Sequence, residues 1–263
     1  MEKSFDLKYT YAEVNNQHHE WLQHFGGQRL KKWEDLLKAN PEAAICEAET
    51  RKLLSDHNVD VQPYEDLSHG GPDFICTKDG KTFYVEVTCL TINAVTKTTR
   101  LSDTPKRAGC YALLTSRIKN EIRSKTPQCA NFSAPCVLAI TTLHFTAGRL
   151  CLAKPRVEEL LTATYKITVD FKNGGAASPP YLTTDLKNSV FIRPDNDSPD
   201  WIEHASAPIS ALLLCGFGSV PPNVLGCLHP SPNHPFEGEL LPNIKFARLA
   251  DGYQNEALKV EWI

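Results

Sequence analysis

The sequence predicts an α/β protein, a mixed sheet with helices packed on its faces. Three observations predict it. Asp79-Gly80 joins two short alternating segments into a hairpin, since a two-residue turn needs positive φ and Asp-Gly tolerates it. The apolar run at 135–142 (PCVLAITT) reads as a strand buried on both faces. Helical patterns precede the hairpin and separate it from that run, so the order over residues 41–142 is helix, strand, strand, strand, helix, strand.

Composition excludes several classes. The chain has 263 residues, 41% hydrophobic and 22% charged, which suits a folded domain with a sizeable core. No apolar run approaches the roughly 20 residues of a membrane span, and the polar N-terminus lacks the apolar centre of a secretion signal. No membrane partner and a cytoplasmic location are therefore expected. The nine cysteines are odd in number, irregularly spaced and without a CxxC pair. Cys76, Cys89, Cys110, Cys136, Cys151 and Cys215 fall in apolar segments and read as free structural thiols. His18, His19 and His24 are too poorly spaced to share a metal, and read as solvated.

Taken in order, residues 11–40 are helical, with Trp21, Leu22, Phe25, Leu30, Trp33, Leu36 and Leu37 as apolar positions and a break at Gly26-Gly27. Asn40-Pro41 caps and starts a second helix to about residue 57, with Ile45, Ala48 and Leu53 as its stripe. A strand at 58–62, a polar loop at 63–71 and the hairpin at 70–90 follow. Residues 91–106 read as an irregular connection, and 107–125 as a helix with a stripe of Ala108, Tyr111, Thr115, Ile118 and Ile122. Continuing that stripe by three residues lands on Lys125, and Pro127 bends or ends the helix. Beyond the strand at 135–142, a short helix at 157–163 and strands at 165–171, 189–192, 209–215 and 258–263 are expected. No linker forces two independent units. The division expected is an N-terminal helical segment (1–40), a core (41–145) and an α/β extension packed on the same domain (146–263).

The chemistry concentrates in the hairpin. Alternation puts Phe83, Val85, Val87 and Cys89 on one face of its second strand, and Tyr84, Glu86 and Thr88 on the other. A glutamate in so apolar a strand needs a wet face or a cation. Asp73 opens the neighbouring strand, and two converging carboxylates make a plausible divalent-cation site. Glu47 or Glu49 on the preceding helix could point towards it. Net charge is −3, which argues against non-specific coating of nucleic acid. Residues 97–125 nevertheless hold eight basic residues against two acidic ones. Lys97, Arg100, Lys106, Arg107 and Arg117 form a candidate phosphate-contacting rim, or simply a solvated face.

Pro72-Asp73 followed thirteen residues on by Glu86-Val87-Thr88, on a hairpin after a helix bearing Glu47, resembles the PD-(D/E)XK nuclease superfamily. The resemblance covers roughly residues 41–142. It implies a restriction-endonuclease-like core acting on DNA with Mg²⁺ (or Mn²⁺), with Asp73 and Glu86 as metal ligands and Glu47, or Glu49, as the helix carboxylate. The metal supplies Lewis acidity and lowers the pKa of its water. The family's lysine, two residues after the glutamate, is Thr88 here. In some members that lysine has moved to the following helix with a glutamine shortly after it, an arrangement that Lys125 and Gln128 resemble. The alternative is a superfamily member that has lost catalysis and binds nucleic acid or protein. A homodimer is left open.

Overall fold

The computed structural model describes residues 7–64, 71–103, 112–151, 153–162, 165–166, 169–170, 176–177, 181–182, 189–194, 202–250 and 258–263. Four helices open the chain: α1 (Leu7–Thr10), α2 (Ala12–Gln23), α3 (Gly27–Ala39) and α4 (Pro41–Asp56). The break between α2 and α3 falls at Gly26, whose φ of 100° is open to glycine at little cost. Asn40 caps α4 by accepting from the Ala43 amide at 3.3 Å, with Pro41 in the first turn.

Strands β1 (Asp60–Pro63), β2 (Phe74–Lys78) and β3 (Lys81–Cys89) form an antiparallel meander. The turn between β2 and β3 has φ of 51° at Asp79 and 75° at Gly80, the two positive values of a type I′ hairpin. The chain then crosses over to β4 (Cys136–Thr142), parallel to β3, with Glu86 opposite Leu138. Every residue of β4 is buried, as a central strand covered on both faces requires.

The crossover contains more structure than its sequence advertises. Helix α5 (Ile92–Thr99) occupies a stretch expected to be irregular. Its threonines are poor helix formers, and its start depends on distant chain: Glu42 of α4 accepts from the Ile92 amide at 2.6 Å, beside the local Thr91 cap. Helix α6 (Ala112–Lys125) follows, with Leu114, Thr115, Ile118 and Ile122 buried. The expected stripe positions Ala108 and Tyr111, the rim residues Lys106 and Arg107, and Cys110 lie outside the described residues.

The C-terminal half extends the same sheet. Strand β5 (Ala211–Gly216) runs parallel to β4, β6 (Asn223–Leu228) antiparallel to β5, β7 (Lys245–Leu249) parallel to β6, and β8 (Val260–Trp262) antiparallel to β7. The order is β1-β2-β3-β4-β5-β6-β7-β8. Helix α7 (Lys154–Leu161) covers one face with α6. The strand expected at 165–171 is described only as the pairs Tyr165–Lys166 and Val169–Asp170, each joined to a short neighbour outside the main sheet. Two hydrophobic layers result. Phe83, Val85, Val137 and Ala139 pack towards α4, while Tyr84, Leu138 and Ile140 pack towards α6 and α7.

A third cluster joins α2, α3 and α4 through Val14, Leu22, Trp33, Ala44 and Ala48. His18, expected to be solvated, is fully buried there, its ring 5.1 Å from Trp21 and 5.0 Å from Trp33. The reason is the i, i+4 stripe Val14–His18–Leu22, which α2 turns inward. Burial, and then the charge of Arg51, pushes the His18 pKa down to about 3. His229 goes down to about 4, chiefly by burial, against a hydrogen bond to the Ala205 carbonyl that opposes the shift.

Both imidazoles therefore stay neutral in the folded protein and gain protons in the unfolded chain below about pH 6.5. A lowered folded-state pKa leaves stability intact above that pH and erodes it as pH falls towards the folded values. The melting temperature is expected to drop steadily from about pH 6.5 downwards, and less steeply in His18→Phe. Equal slopes for the two proteins in thermal denaturation across this window would contradict the assignment to His18.

Candidate active site

The site is assembled on the α6 face of the hairpin. Phe74 pairs with Val85, so Asp73, one residue before β2, lies across from Glu86. The Asp73 carboxylate accepts from the Val87 amide at 2.7 Å, which fixes its side chain against β3. Glu86 is 4% exposed, and a charge so placed costs several kcal/mol unless it is compensated. Compensation comes from α6: Lys125 Nζ donates to Glu86 Oε1 at 2.7 Å. The residue that broke the apolar stripe of α6 is thus the one that reaches the buried carboxylate.

Burial by itself would lower the Lys125 pKa. The charge of Glu86, their hydrogen bond and the charges of Asp73 and Glu121 outweigh it, so the group sits above its ordinary range. Lys125 is therefore an ammonium throughout the neutral range, able to donate hydrogen bonds and balance negative charge but not to take a proton. Gln128 joins it, its Oε1 accepting from Lys125 Nζ at 2.9 Å. Pro127 was expected to bend or end the helix, and α6 does end at Lys125: the chain tightens into a 3₁₀ turn, Thr126–Cys129, where Pro127 occupies the first turn and its missing amide is not needed.

Glu47 and Glu49 diverge. Glu47 borders a cleft of about 510 Å³ that Asp73 also lines, together with Arg29, Lys32, Trp33 and Pro63. Its Oε1 lies 3.8 Å from His18 Nε2, and because that imidazole is neutral the contact is polar rather than ionic. Glu49 answers to other groups. Burial raises its pKa, Lys52 and Asp56 act on it, and it in turn acts on Tyr11. The helix carboxylate that lines the same cleft as Asp73 is Glu47.

Thr88, at the position expected for a lysine, is half-buried on the Glu86 side of β3, and its carbonyl accepts from Thr141 Oγ1 at 2.9 Å. Of the basic rim, Lys97 and Arg100 are exposed on α5 and at its left-handed C-terminal residue. Arg117 is only partly exposed and engages Glu121 at 3.4 Å, one turn before Lys125.

Sequence reasoning missed two features near the site. Arg29 and Lys32, one turn apart on α3, line the cleft with Asp73 and Glu47. Their i, i+3 spacing was legible, but the docking of α3 was not. Tyr64, Tyr84 and Phe132 form an aromatic group, with rings 4.9 Å apart (Tyr64–Tyr84) and 4.6 Å apart (Tyr84–Phe132). Tyr64 is exposed, and its amide donates to the Asp73 carbonyl at 2.9 Å, so the cluster adjoins the carboxylates.

Among the described residues no three His, Cys, Asp or Glu side chains stand together as a ready-made metal cage. The oxygen donors available are the Asp73 and Glu86 carboxylates, with Glu47 lining the same cleft as Asp73. Searches of protein-family models, of curated proteins and of solved structures found no match to the chain.

Proposed function

We propose that the protein is a metal-dependent nuclease that hydrolyses phosphodiester bonds in DNA, with a core of the PD-(D/E)XK kind. The observation that carries this reading is the Lys125–Glu86 contact beside Asp73: two carboxylates and a permanent ammonium converge on one end of a hairpin. The path α4-β1-β2-β3-α5-α6-β4, with β3 and β4 parallel, supports a restriction-endonuclease-like arrangement. No helix is long and apolar enough to cross a membrane among the described residues.

The donor set fits Mg²⁺ or Mn²⁺. Mg²⁺ prefers hard oxygen ligands, keeps several waters and is commonly held by only one or two carboxylates plus substrate phosphate oxygens. Asp73 and Glu86 would hold it, with Glu47 orienting a water or joining from the cleft, and Lys125 now stands as the positive charge on Glu86. When bound, the ion acts as a Lewis acid on the phosphoryl group and makes water a better nucleophile. Lys125 donates a hydrogen bond to charge developing on the phosphate, and Gln128 holds the ammonium in position. The exposed Tyr64 ring offers a nearby surface on which a base can stack.

Asp73→Ala and Glu86→Ala, each checked for folding by circular dichroism, should lose cleavage of single-stranded, duplex or branched DNA in Mg²⁺ or Mn²⁺. Cleavage at the wild-type rate by both would overturn the reading. Thr88 favours a second reading, a catalytically silent nucleic-acid-binding or protein-interaction module. Salt-sensitive DNA binding with no cleavage by the wild-type protein would select it.

A further inference from the structure

A second pocket, of about 430 Å³, lies on the far side of α6 from Lys125. Lys119 and Arg123 enter it from α6, Arg193 from the strand Ile192–Pro194, and His204 from the strand Ile202–His204, with Thr126 and Ser206 adding hydroxyls. No aspartate or glutamate is among its described lining residues. Residues 119 and 123 of α6 and 126 of the turn that follows it repeat at i, i+4 and i+7 on one face, whereas 117, 121 and 125 lie on another. The helix thus separates a site containing two carboxylates from a pocket whose described charged lining residues are basic.

The wall opposite α6 is built rather than loose. The imidazole of His229 donates from Nε2 to the Ala205 carbonyl at 2.8 Å and accepts from the Ser231 amide at Nδ1 at 2.9 Å. The Asn233 amide donates to the Ala207 carbonyl at 2.8 Å, and the Ala205 amide to the Phe191 carbonyl at 2.8 Å. Ser206 holds a positive φ of 61°, rare for a residue with a side chain, between these fixed points. Glu203 accepts from Arg193 Nε at 2.7 Å, which orients the guanidinium and offsets part of its charge. Cations from two elements, Lys119 and Arg123 on one and Arg193 on the other, gather in one depression beside His204, whose pKa burial lowers, and raise the local potential, which an anion relieves. The planar guanidiniums and hydroxyls suit the tetrahedral oxygens of a phosphate.

We propose that this pocket is a phosphate-binding site, filled by the phosphate of a nucleic-acid backbone or of a small phosphorylated molecule. It gives the C-terminal half a binding role and is independent of whether the Asp73–Glu86 site cleaves. The test compares the full-length wild-type protein with Arg123→Gln/Arg193→Gln, both positions being exposed. One arm measures thermal stabilisation by inorganic phosphate against chloride at matched ionic strength. The other measures binding of a fluorescent oligodeoxynucleotide as a function of salt.

Phosphate-specific stabilisation of wild type, lost in the double variant, is expected. If the backbone is the source, the slope of log affinity against log salt also falls by about 2, one per cation removed. Loss in the phosphate arm with an unchanged oligonucleotide slope assigns the pocket to a small phosphorylated ligand. Identical behaviour of the two proteins in both arms, or a wild type indifferent to phosphate and to the oligonucleotide, overturns the proposal.

Discussion

Lys125→Met is expected to slow metal-dependent DNA cleavage by about 10²–10³-fold, the usual cost of removing one preorganised donor from a developing negative charge. The effect has a structural counterpart. Met keeps the length and apolar stem of lysine but strands Glu86, a carboxylate that is 4% exposed. Breaking a fully buried pair costs roughly 3–5 kcal/mol. Lys125 keeps 25% of its side chain in solvent, so the loss here should be smaller, about 2 kcal/mol, and read as a lower urea midpoint. Lys125→Met/Glu86→Gln removes both charges and should recover much of that stability without recovering cleavage. A near wild-type rate in Lys125→Met would show that the lysine is a structural partner of Glu86 and nothing more.

Asp73→Ala and Glu86→Ala should have the larger kinetic effect, at least about 10³-fold, because each removes a ligand of the ion that carries most of the charge stabilisation, several kcal/mol at 1.36 kcal/mol per tenfold. Their stability effects should differ in kind. Glu86→Ala leaves Lys125 partly solvated and free to keep Gln128 as a partner. Asp73→Ala removes the acceptor of the Val87 amide and loosens the join between β2 and β3. Similar activity losses with different stability losses would therefore support a shared chemical role. Activity losses that simply track the fraction unfolded would point to a structural one.

Which parts were legible in the sequence follows from how local their causes are. The hairpin was, because Asp-Gly and strict alternation act within a few residues. Lys125 was, because a cation that interrupts an apolar stripe needs a partner, and Glu86 was a strand carboxylate in need of one. Helix α5 was not, since part of its N-terminal capping comes from Glu42, fifty residues earlier. Strands β6 and β7 were not. Gly226 interrupts β6, and only the fold reveals why: a Cβ there would stand 2.1 Å from the Phe246 ring of β7. The end of α6 before Pro127 was legible, but the 3₁₀ turn that keeps Gln128 beside Lys125 was not. His18 was misread because its neighbours in the stripe, Val14 and Leu22, were not counted with it.

The central claim is that Asp73 and Glu86 hold a divalent cation, and thermal denaturation of the wild-type protein under a Mn²⁺ titration tests it most directly. A ligand that binds only the folded state stabilises it by about 2.7 kcal/mol at a concentration 100 times its Kd. A saturable rise in melting temperature is expected for wild type, and Asp73→Asn/Glu86→Gln should abolish it. The same response to Mn²⁺ in both proteins would contradict that claim.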